Sequence, residues 1–334
     1  VEDASYYFKT NYDAGFEFKH IFRNPNGYFN IFNNFITQLI SILDVRFQAR
    51  AYLAVAFTLS VMTVILFGRS GLVKNKYLLL VTPLVIGLSG LNHIHYYITI
   101  TFQMYLLVIS LFLLLLWERQ NTFINNLLIF LLIPILVWSG PYSVLSVPFA
   151  ILFMFLFRGK NLIMLWTIIS TIAYTLMTTG AVGSGVIPQH LFSGFYQNLW
   201  FDTVVTDVFF MGLRGNANIE KVLLLLAIIC PALYIIRHDT IHVRILMLLM
   251  VVIICTPAPL LLTNKYNLYG DVFPCHVLTA QISWLLFVLI LVDRVIIKLS
   301  AQYQRPAGYV ALALVVIFVA ADNMKNERKG RHII

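Results

Sequence analysis

The chain has 334 residues, of which 60% are hydrophobic and 11% are charged, and its formal charge at pH 7 is +9. Its mean hydropathy is +0.84, whereas soluble domains carry about 25% charged and about 45–50% apolar residues. This composition excludes soluble enzymes, nucleic-acid-binding proteins and secreted disulfide scaffolds, and it predicts an integral membrane protein with no nucleic-acid partner.

The chain opens with a polar segment, residues 1–49, that is rich in aromatic side chains. Aromatic rings with polar tips suit the headgroup region, so we expect this segment to be a loop along the membrane surface. Within it, residues 31–43 have the spacing of an interfacial amphipathic helix, and residues 187–213 have the same character. Because the chain starts at Val1 directly in polar sequence, we also expect one further span upstream, about eleven in all.

Apolar runs of spanning length follow the first loop. They are continuous and lack the alternation of a membrane β-barrel, which predicts helices. The sequence therefore predicts an all-α polytopic fold with about ten transmembrane helices over residues 50–321 and a basic C-terminal tail over 322–334. The predicted spans are 50–68, 77–90, 96–117, 123–138, 142–157, 161–180, 220–236, 242–262, 276–296 and 306–321.

Basic residues in the short loops predict the orientation of the spans. The loops of one set hold Arg69, Lys74, Lys76, Arg119, Arg158, Lys160, Arg237, Arg244, Arg294, Lys298 and Arg305. The opposing short loops, 91–95, 139–141 and 263–275, hold only Lys265. The positive-inside rule then places the long connections 1–49, 181–219 and 263–275 together on the outer face.

Three short motifs lie on this outer side and carry a resemblance. They are Glu2-Asp3-Ala4 leading to Gly27-Tyr28-Phe29-Asn30, Gly140-Pro141-Tyr142-Ser143 before a run ending in Phe157-Arg158, and Gly270-Asp271-Val272-Phe273-Pro274 before the span with Trp284. With an acid at the start of a long outer loop and interfacial helices after it, the chain resembles the GT-C fold of bacterial glycosyltransferases, which use polyprenyl-phosphate-linked sugars. It departs from that pattern at Asn33-Asn34, where related sequences often carry Pro-Arg, and at Asp271, where they tend to carry Arg.

The resemblance implies an inverting sugar transfer, which needs a carboxylate base near the acceptor hydroxyl and a cation near the departing phosphate. It implies Asp3 as the catalytic base, with Glu2 as its alternate, and Asp13 as a second acid of the kind that some family members use. From their predicted positions on the outer side, the cations Arg214 and Lys265 and the histidines His93 and His95 complete the substrate-binding set. Arg214 ranks first for the phosphate because glycines flank it. The same residues also fit solvated loop acids, interfacial anchors and hydrogen-bonded histidines, and the His93–His95 pair alone is a weak metal signal.

The resemblance also implies partners and a location. The partners would be a polyprenyl-phosphate-linked sugar, a glycan, lipid or protein acceptor, the lipid bilayer and further subunits of a membrane complex. No cofactor is expected, and the sequence leaves a divalent metal open. No Asn-x-Ser/Thr sequon is present, which favours the bacterial cytoplasmic membrane, with the active face outward.

Two other functions compete with the transferase. One is a non-catalytic scaffold subunit that retains a GT-C-like fold, which the departures at Asn33-Asn34 and Asp271 favour. The other is a lipid flippase or transporter. Ion-coupled carriers place ionisable groups near the bilayer midplane, whereas Glu118, Asp293 and Asp322 all lie at predicted span ends.

Cysteine labelling from the two sides of the membrane tests the predicted topology. In a background without native cysteines, an impermeant maleimide should label Ser5→Cys and Asn216→Cys from one side and Asn75→Cys from the other. The physical reason is the charge asymmetry of the loops. Labelling of positions 75 and 216 from the same side would contradict the topology.

Overall fold

The computed structural model describes residues 16–22, 30–88, 103–117, 122–156, 161–178, 242–255 and 274–330, with single positions and short stretches between 223 and 237. Every regular element in these residues is helical. The predicted all-α class is therefore confirmed for the part of the chain that the structure describes.

The chain divides into two compact units, Val1–Arg69 with His95–Gly185 and Ser70–Ile94 with Val186–Ile334. Unit 1 contains a 3₁₀ helix at Phe18–Phe22, α1 (Ile31–Ser41), α2 (Val45–Arg69), α4 (Gln103–Leu116), α5 (Phe123–Val137), a 3₁₀ helix at Pro141–Leu145, α6 (Ser146–Leu156) and α7 (Asn161–Thr178). Unit 2 contains α3 (Lys76–Leu88), α8 (His242–Cys255), α9 (Pro274–Lys298) and α10 (Ala301–Gly330).

Helices overlap the predicted spans, although their bounds differ from those expected. Among the described residues, two helices are long and apolar enough to cross a membrane, Val45–Arg69 and Leu278–Lys298, each with a mean hydropathy of 2.1. The other apolar helices in that part of the chain are shorter. Within 220–236 the described helical residues are 223, 226, 229–230 and 232–235. Near the C-terminus α10 continues to Gly330, so much of the predicted tail is helical.

Unit 1 reverses the polarity of a water-soluble bundle. In α2 the buried side carries Gln48 and Thr63 among apolar residues, while Phe57 is 68% exposed and Ile65 is 52% exposed. A soluble helix would turn its polar residues outward. The outward apolar side of α2 is what a hydrocarbon environment requires.

Several buried hydroxyl groups and an indole in unit 1 find partners within the protein. Thr63 Oγ1 lies 2.9 Å from Ser110 Oγ, which joins α2 to α4, and Ser146 Oγ lies 3.3 Å from Thr171 Oγ1, which joins α6 to α7. On the exposed side, Trp166 Nε1 donates to the Phe130 carbonyl at 2.9 Å. Such internal bonds replace the water that a bilayer core does not supply.

In unit 2 a buried carboxylate holds the start of α3. Asp293 on α9 is fully buried and accepts from the backbone N–H groups of Lys74, at 3.1 Å, and Asn75, at 2.8 Å. Asn75 in turn caps α3, because its Oδ1 accepts from the Tyr77 N–H at 2.9 Å. The beginning of α3 is therefore fixed by a side chain from near the end of the sequence.

Two buried arginines bind the carbonyl groups of the same turn. Arg244 Nη1 donates to the Ser70 carbonyl at 2.8 Å, and Arg294 Nη2 donates to the Leu72 carbonyl at 2.9 Å. Arg294 also lies 3.5 Å from the Asp293 carboxylate. These contacts bring together, at one end of unit 2, loops that the sequence places on the basic face.

Replacement of Asp293 by Asn should destabilise the protein. The amide has one oxygen where the carboxylate has two, so one backbone N–H loses its acceptor, and the negative charge beside Arg294 is lost as well. We expect the free energy of unfolding to fall by roughly 3 kcal/mol, with a lower melting temperature in detergent. Asp44→Asn is the matched control, since that acid is exposed at the start of α2 and surface ion pairs contribute little. Equal melting temperatures for the two variants would contradict the role of Asp293.

Candidate functional site

The sequence-predicted site residues all fall outside the described part of the chain. They are the proposed base Asp3 with Glu2, the second acid Asp13, the histidines His93 and His95, and the cations Arg214 and Lys265. Their roles therefore stay predictions. What the structure does describe of the first loop is residues 16–22 and 30–44, which include α1 and lead into α2.

Helix α1 is amphipathic with its polar side buried. Asn33, Asn34, Thr37 and Gln38 are all buried, whereas Phe35 is 41% exposed and Leu39 is 42% exposed. At 100° per residue the four polar positions share one face, and Phe35 and Leu39 lie on the opposite one. The helix thus turns its apolar face away from the protein, as interfacial helices do. The predicted helix at 31–43 is confirmed over Ile31–Ser41.

Both ends of α1 are attached to the helices of unit 1. The Ile31 N–H donates to the Trp138 carbonyl at 3.0 Å, just after α5 ends. At the other end Ile40 packs on Tyr52 of α2, and Gln48 Nε2 donates to the Leu43 carbonyl at 2.8 Å. Helix α1 therefore lies across the ends of α2 and α5 that the sequence predicts to be outer.

The buried polar face of α1 binds the segment before it. Asn34 Nδ2 donates to the Ile21 carbonyl at 3.0 Å, and Asn30 caps the helix by accepting from the Asn33 N–H. Asn33 and Asn34 stand where related sequences often carry Pro-Arg. Here the Asn34 side chain bonds the loop backbone from inside, and neither asparagine has the permanent charge with which an arginine binds phosphate.

A carboxylate, an imidazole and an amide join the first 3₁₀ helix to α1. His20 is buried, and its Nε2 lies 3.2 Å from Glu17 Oε2 while its Nδ1 lies 3.5 Å from Gln38 Nε2. The Glu17 N–H donates to Gln38 Oε1 at 2.7 Å. With both ring nitrogens engaged, His20 positions the loop and does not present a base to a substrate. Sequence reasoning missed this group, although the i,i+3 spacing of Glu17 and His20 was its signal.

Two cations beside α1, one in the first 3₁₀ helix and one at the start of α2, already pair with acids. Lys19 Nζ lies 2.6 Å from Glu17 Oε2, and Arg46 holds both oxygens of Asp44 at 3.0 and 2.9 Å. The Arg46 side chain, and secondly its backbone N–H, lower the pKa of the Asp44 carboxyl. Because folding lowers this pKa, the ion pair stabilises the start of α2 at neutral pH. This stabilisation is lost as the pH falls through the lowered pKa. Arg50, one turn further on, is exposed and makes no ion pair with the described residues.

The Gly140–Ser143 motif is structural in the described part of the chain. Tyr142 is buried with its ring centroid 5.1 Å from that of Tyr105, and Ser143 Oγ donates to the Gly140 carbonyl at 2.8 Å. Trp138 Nε1 donates to the Ser170 carbonyl at 3.0 Å. No group of three or more metal-ligating side chains occurs within the described ranges, and the motif offers no exposed nucleophile.

Spin labels on α1 test its placement at the membrane surface. A nitroxide at Leu39→Cys should be more accessible to oxygen than to a water-soluble nickel chelate, because the exposed apolar face meets lipid. A label at Lys19→Cys, where the native side chain is 76% exposed and charged, should show the opposite preference. Equal access of the nickel chelate to both labels would place α1 in water.

Comparison with protein-family models, with curated protein sequences and with solved structures gave no match for this chain.

Proposed function

We propose that the protein is a polytopic membrane glycosyltransferase that moves a sugar from a polyprenyl-phosphate donor to an acceptor hydroxyl at the outer leaflet. The observation that carries this proposal is helix α1, which buries its polar side, turns its apolar side outward and binds residues 17–21 beside the ends of α2 and α5. A lipid-linked donor presents its phosphate at this depth, so a loop held there meets the reacting bond without withdrawing the lipid from the bilayer.

The frame around α1 suits a site built by loops. The Glu17–His20–Gln38 contacts and the Asn34–Ile21 bond fix residues 17–22 against α1. Asp3 and Asp13 precede this fixed segment in the same loop. A rigid support of this kind favours precise placement of a base.

In the proposed reaction the acceptor oxygen attacks the anomeric carbon and the bond from that carbon to the phosphate oxygen breaks. Asp3 takes the acceptor proton, with Glu2 as alternate, and the lipid phosphate leaves with the bond electrons. Arg214 and Lys265 balance its charge, and Asp13, His93 and His95 complete the substrate-binding set. We add Arg50 to this set as a further cation for the phosphate. The neighbouring described cations, Lys19 and Arg46, already pair with acids.

A non-catalytic GT-C-like scaffold subunit is the second candidate, and one observation favours it. The Asn33-Asn34 pair, where related sequences often carry Pro-Arg, is buried and Asn34 is bonded to the loop backbone. A chain that has exchanged a phosphate-binding arginine for internal bonds could keep the fold without the chemistry. The structure gives less support to the flippase or transporter alternative. The buried acid Asp293 binds backbone N–H groups, which is a structural role and not the ion binding that a coupled carrier needs.

Sugar transfer from a synthetic polyprenyl-phosphate donor by purified protein in nanodiscs tests the proposal. Asp3→Asn should lower kcat by about 10²–10⁴ because the general base is lost. Arg214→Ala should raise the KM for the donor as well as lower kcat, since a phosphate contact is removed. Asp44→Asn, an exposed acid of the same outer segment, should keep the activity of the natural chain.

Three outcomes separate the candidates. Full activity in Asp3→Asn would remove the base assignment. A natural chain that is inert with every donor and acceptor, yet is recovered in a stable membrane complex, would favour the scaffold. Movement of a fluorescent polyprenyl phosphate across vesicles without sugar transfer would favour the flippase.

A further inference from the structure

An apolar groove of about 480 Å³ runs between α9 and α10 in unit 2. Its lining includes Leu291, Val295 and Ile296 from α9 and Ala307, Val310 and Leu314 from α10, and every lining residue is apolar. Val310 is 58% exposed and Leu314 is 61% exposed. The groove is therefore open along the outer surface of the unit, where a hydrocarbon chain can enter from the side.

The groove exists because α10 leaves α9 and packs on α3. Gly308 lies so close to α3 that an added Cβ would be 3.1 Å from Tyr77 Cδ2, and the rings of Tyr77 and Tyr309 lie 4.6 Å apart. Ala307, Val310 and Leu314 lie on a different side of α10 from Gly308 and Tyr309. The small side chain of Ala307 leaves the space between the two helices unfilled.

A rigid basic turn borders one end of the groove. Gln304 Nε2 donates to the Ile297 and Leu299 carbonyls at 3.1 and 3.0 Å, which closes the turn from α9 to α10. Lys298 precedes this turn and Arg305 follows it, and both are exposed. Lys298 Nζ donates to the Ile235 carbonyl at 2.9 Å, and two of its three protons stay available to a further acceptor.

Polar aromatic groups lie beside the basic turn. Arg305 Nη2 is 3.5 Å from the Tyr309 hydroxyl, which is 3.3 Å from the Tyr77 hydroxyl. Tyrosines with lysines and arginines are typical of the level at which headgroups meet hydrocarbon. Asp293 is the one acidic residue in the sequence from 274 to 314, and it is fully buried. No exposed carboxylate within this stretch therefore repels an anion at the turn.

From this juxtaposition we infer that unit 2 binds an anionic phospholipid of the surrounding bilayer, with an acyl chain in the groove and its phosphate against Lys298 and Arg305. The groove supplies apolar contact along the chain, and the two cations supply selectivity for an anionic headgroup. The sequence places this turn on the basic, cytoplasmic face, where anionic lipids bind clusters of Lys and Arg. The inference depends on the membrane placement in the proposed function and not on sugar transfer.

Native mass spectrometry of the full chain tests the inference, with phosphatidylglycerol and phosphatidylcholine of identical acyl chains as probes. The natural chain should retain phosphatidylglycerol in preference to phosphatidylcholine. The double variant Lys298→Ala/Arg305→Ala should lose about thirtyfold in phosphatidylglycerol affinity, at about 1 kcal/mol per cation. It should lose much less affinity for phosphatidylcholine, because the choline cation already balances the phosphate of that lipid. Ala311→Phe, which fills the groove, should weaken both lipids. Lys19→Ala/Arg46→Ala, which removes two exposed cations of unit 1 that already pair with acids, is the matched control and should change neither affinity.

Two results would overturn the inference. One is an unchanged lipid preference in Lys298→Ala/Arg305→Ala, a variant whose surface positions leave folding intact. The other is equal retention of the two lipids by the natural chain, which would make the groove an unselective hydrocarbon contact. A second copy of the chain as the occupant would show as a dimer that Ala311→Phe dissociates, and that result also contradicts a lipid. Sugar-transfer activity does not enter any of these readouts, so failure here leaves the transferase proposal to its own assay.

Discussion

The absence of water in a hydrocarbon core is the constraint on which the rest of this structure depends. Each polar group inside such a core must find its partner within the protein, since an unpaired group costs several kcal/mol. The hydroxyl pair Thr63–Ser110 and the Trp166–Phe130 bond meet that requirement in unit 1. In unit 2 the Asp293 carboxylate and the Arg294 guanidinium meet it with backbone groups. The outer surfaces of the helices are then left to apolar side chains.

The same constraint explains why the first loop is built as it is. In the proposed position at the membrane surface, the loop has lipid on one side and protein on the other, and water reaches it only in part. Helix α1 resolves this by turning Phe35 and Leu39 outward and Asn34 and Gln38 inward. The inward amides then serve the backbone and side chains of residues 17–21. Because these amides are bonded to the loop, a substrate cannot bind to them.

Local pattern was enough to predict the helices and insufficient to predict their tertiary partners. The spacing of apolar residues in 31–43 predicts α1, and continuous apolar runs predict α2 and α9, because both signals are contained in neighbouring residues. The contact of Asp293 with Lys74 joins positions 219 residues apart, and no local pattern encodes it. The candidate site is further from prediction, because Asp3 and Arg214 lie outside the described residues and their roles stay predictions.

The Asp293 contact also has a consequence for how the chain is made. Unit 2 takes its first helix from residues 70–94 and the rest from residues after 185, so a ribosome completes the intervening part of unit 1 before it reaches the carboxylate. At about 5–20 residues per second the Lys74 and Asn75 amides wait roughly 10–40 s for their acceptor. During that interval only water at the membrane boundary can satisfy them. The turn before α3 must therefore stay at the aqueous edge until α9 is inserted, which makes closure of unit 2 a late step in the assembly of the chain.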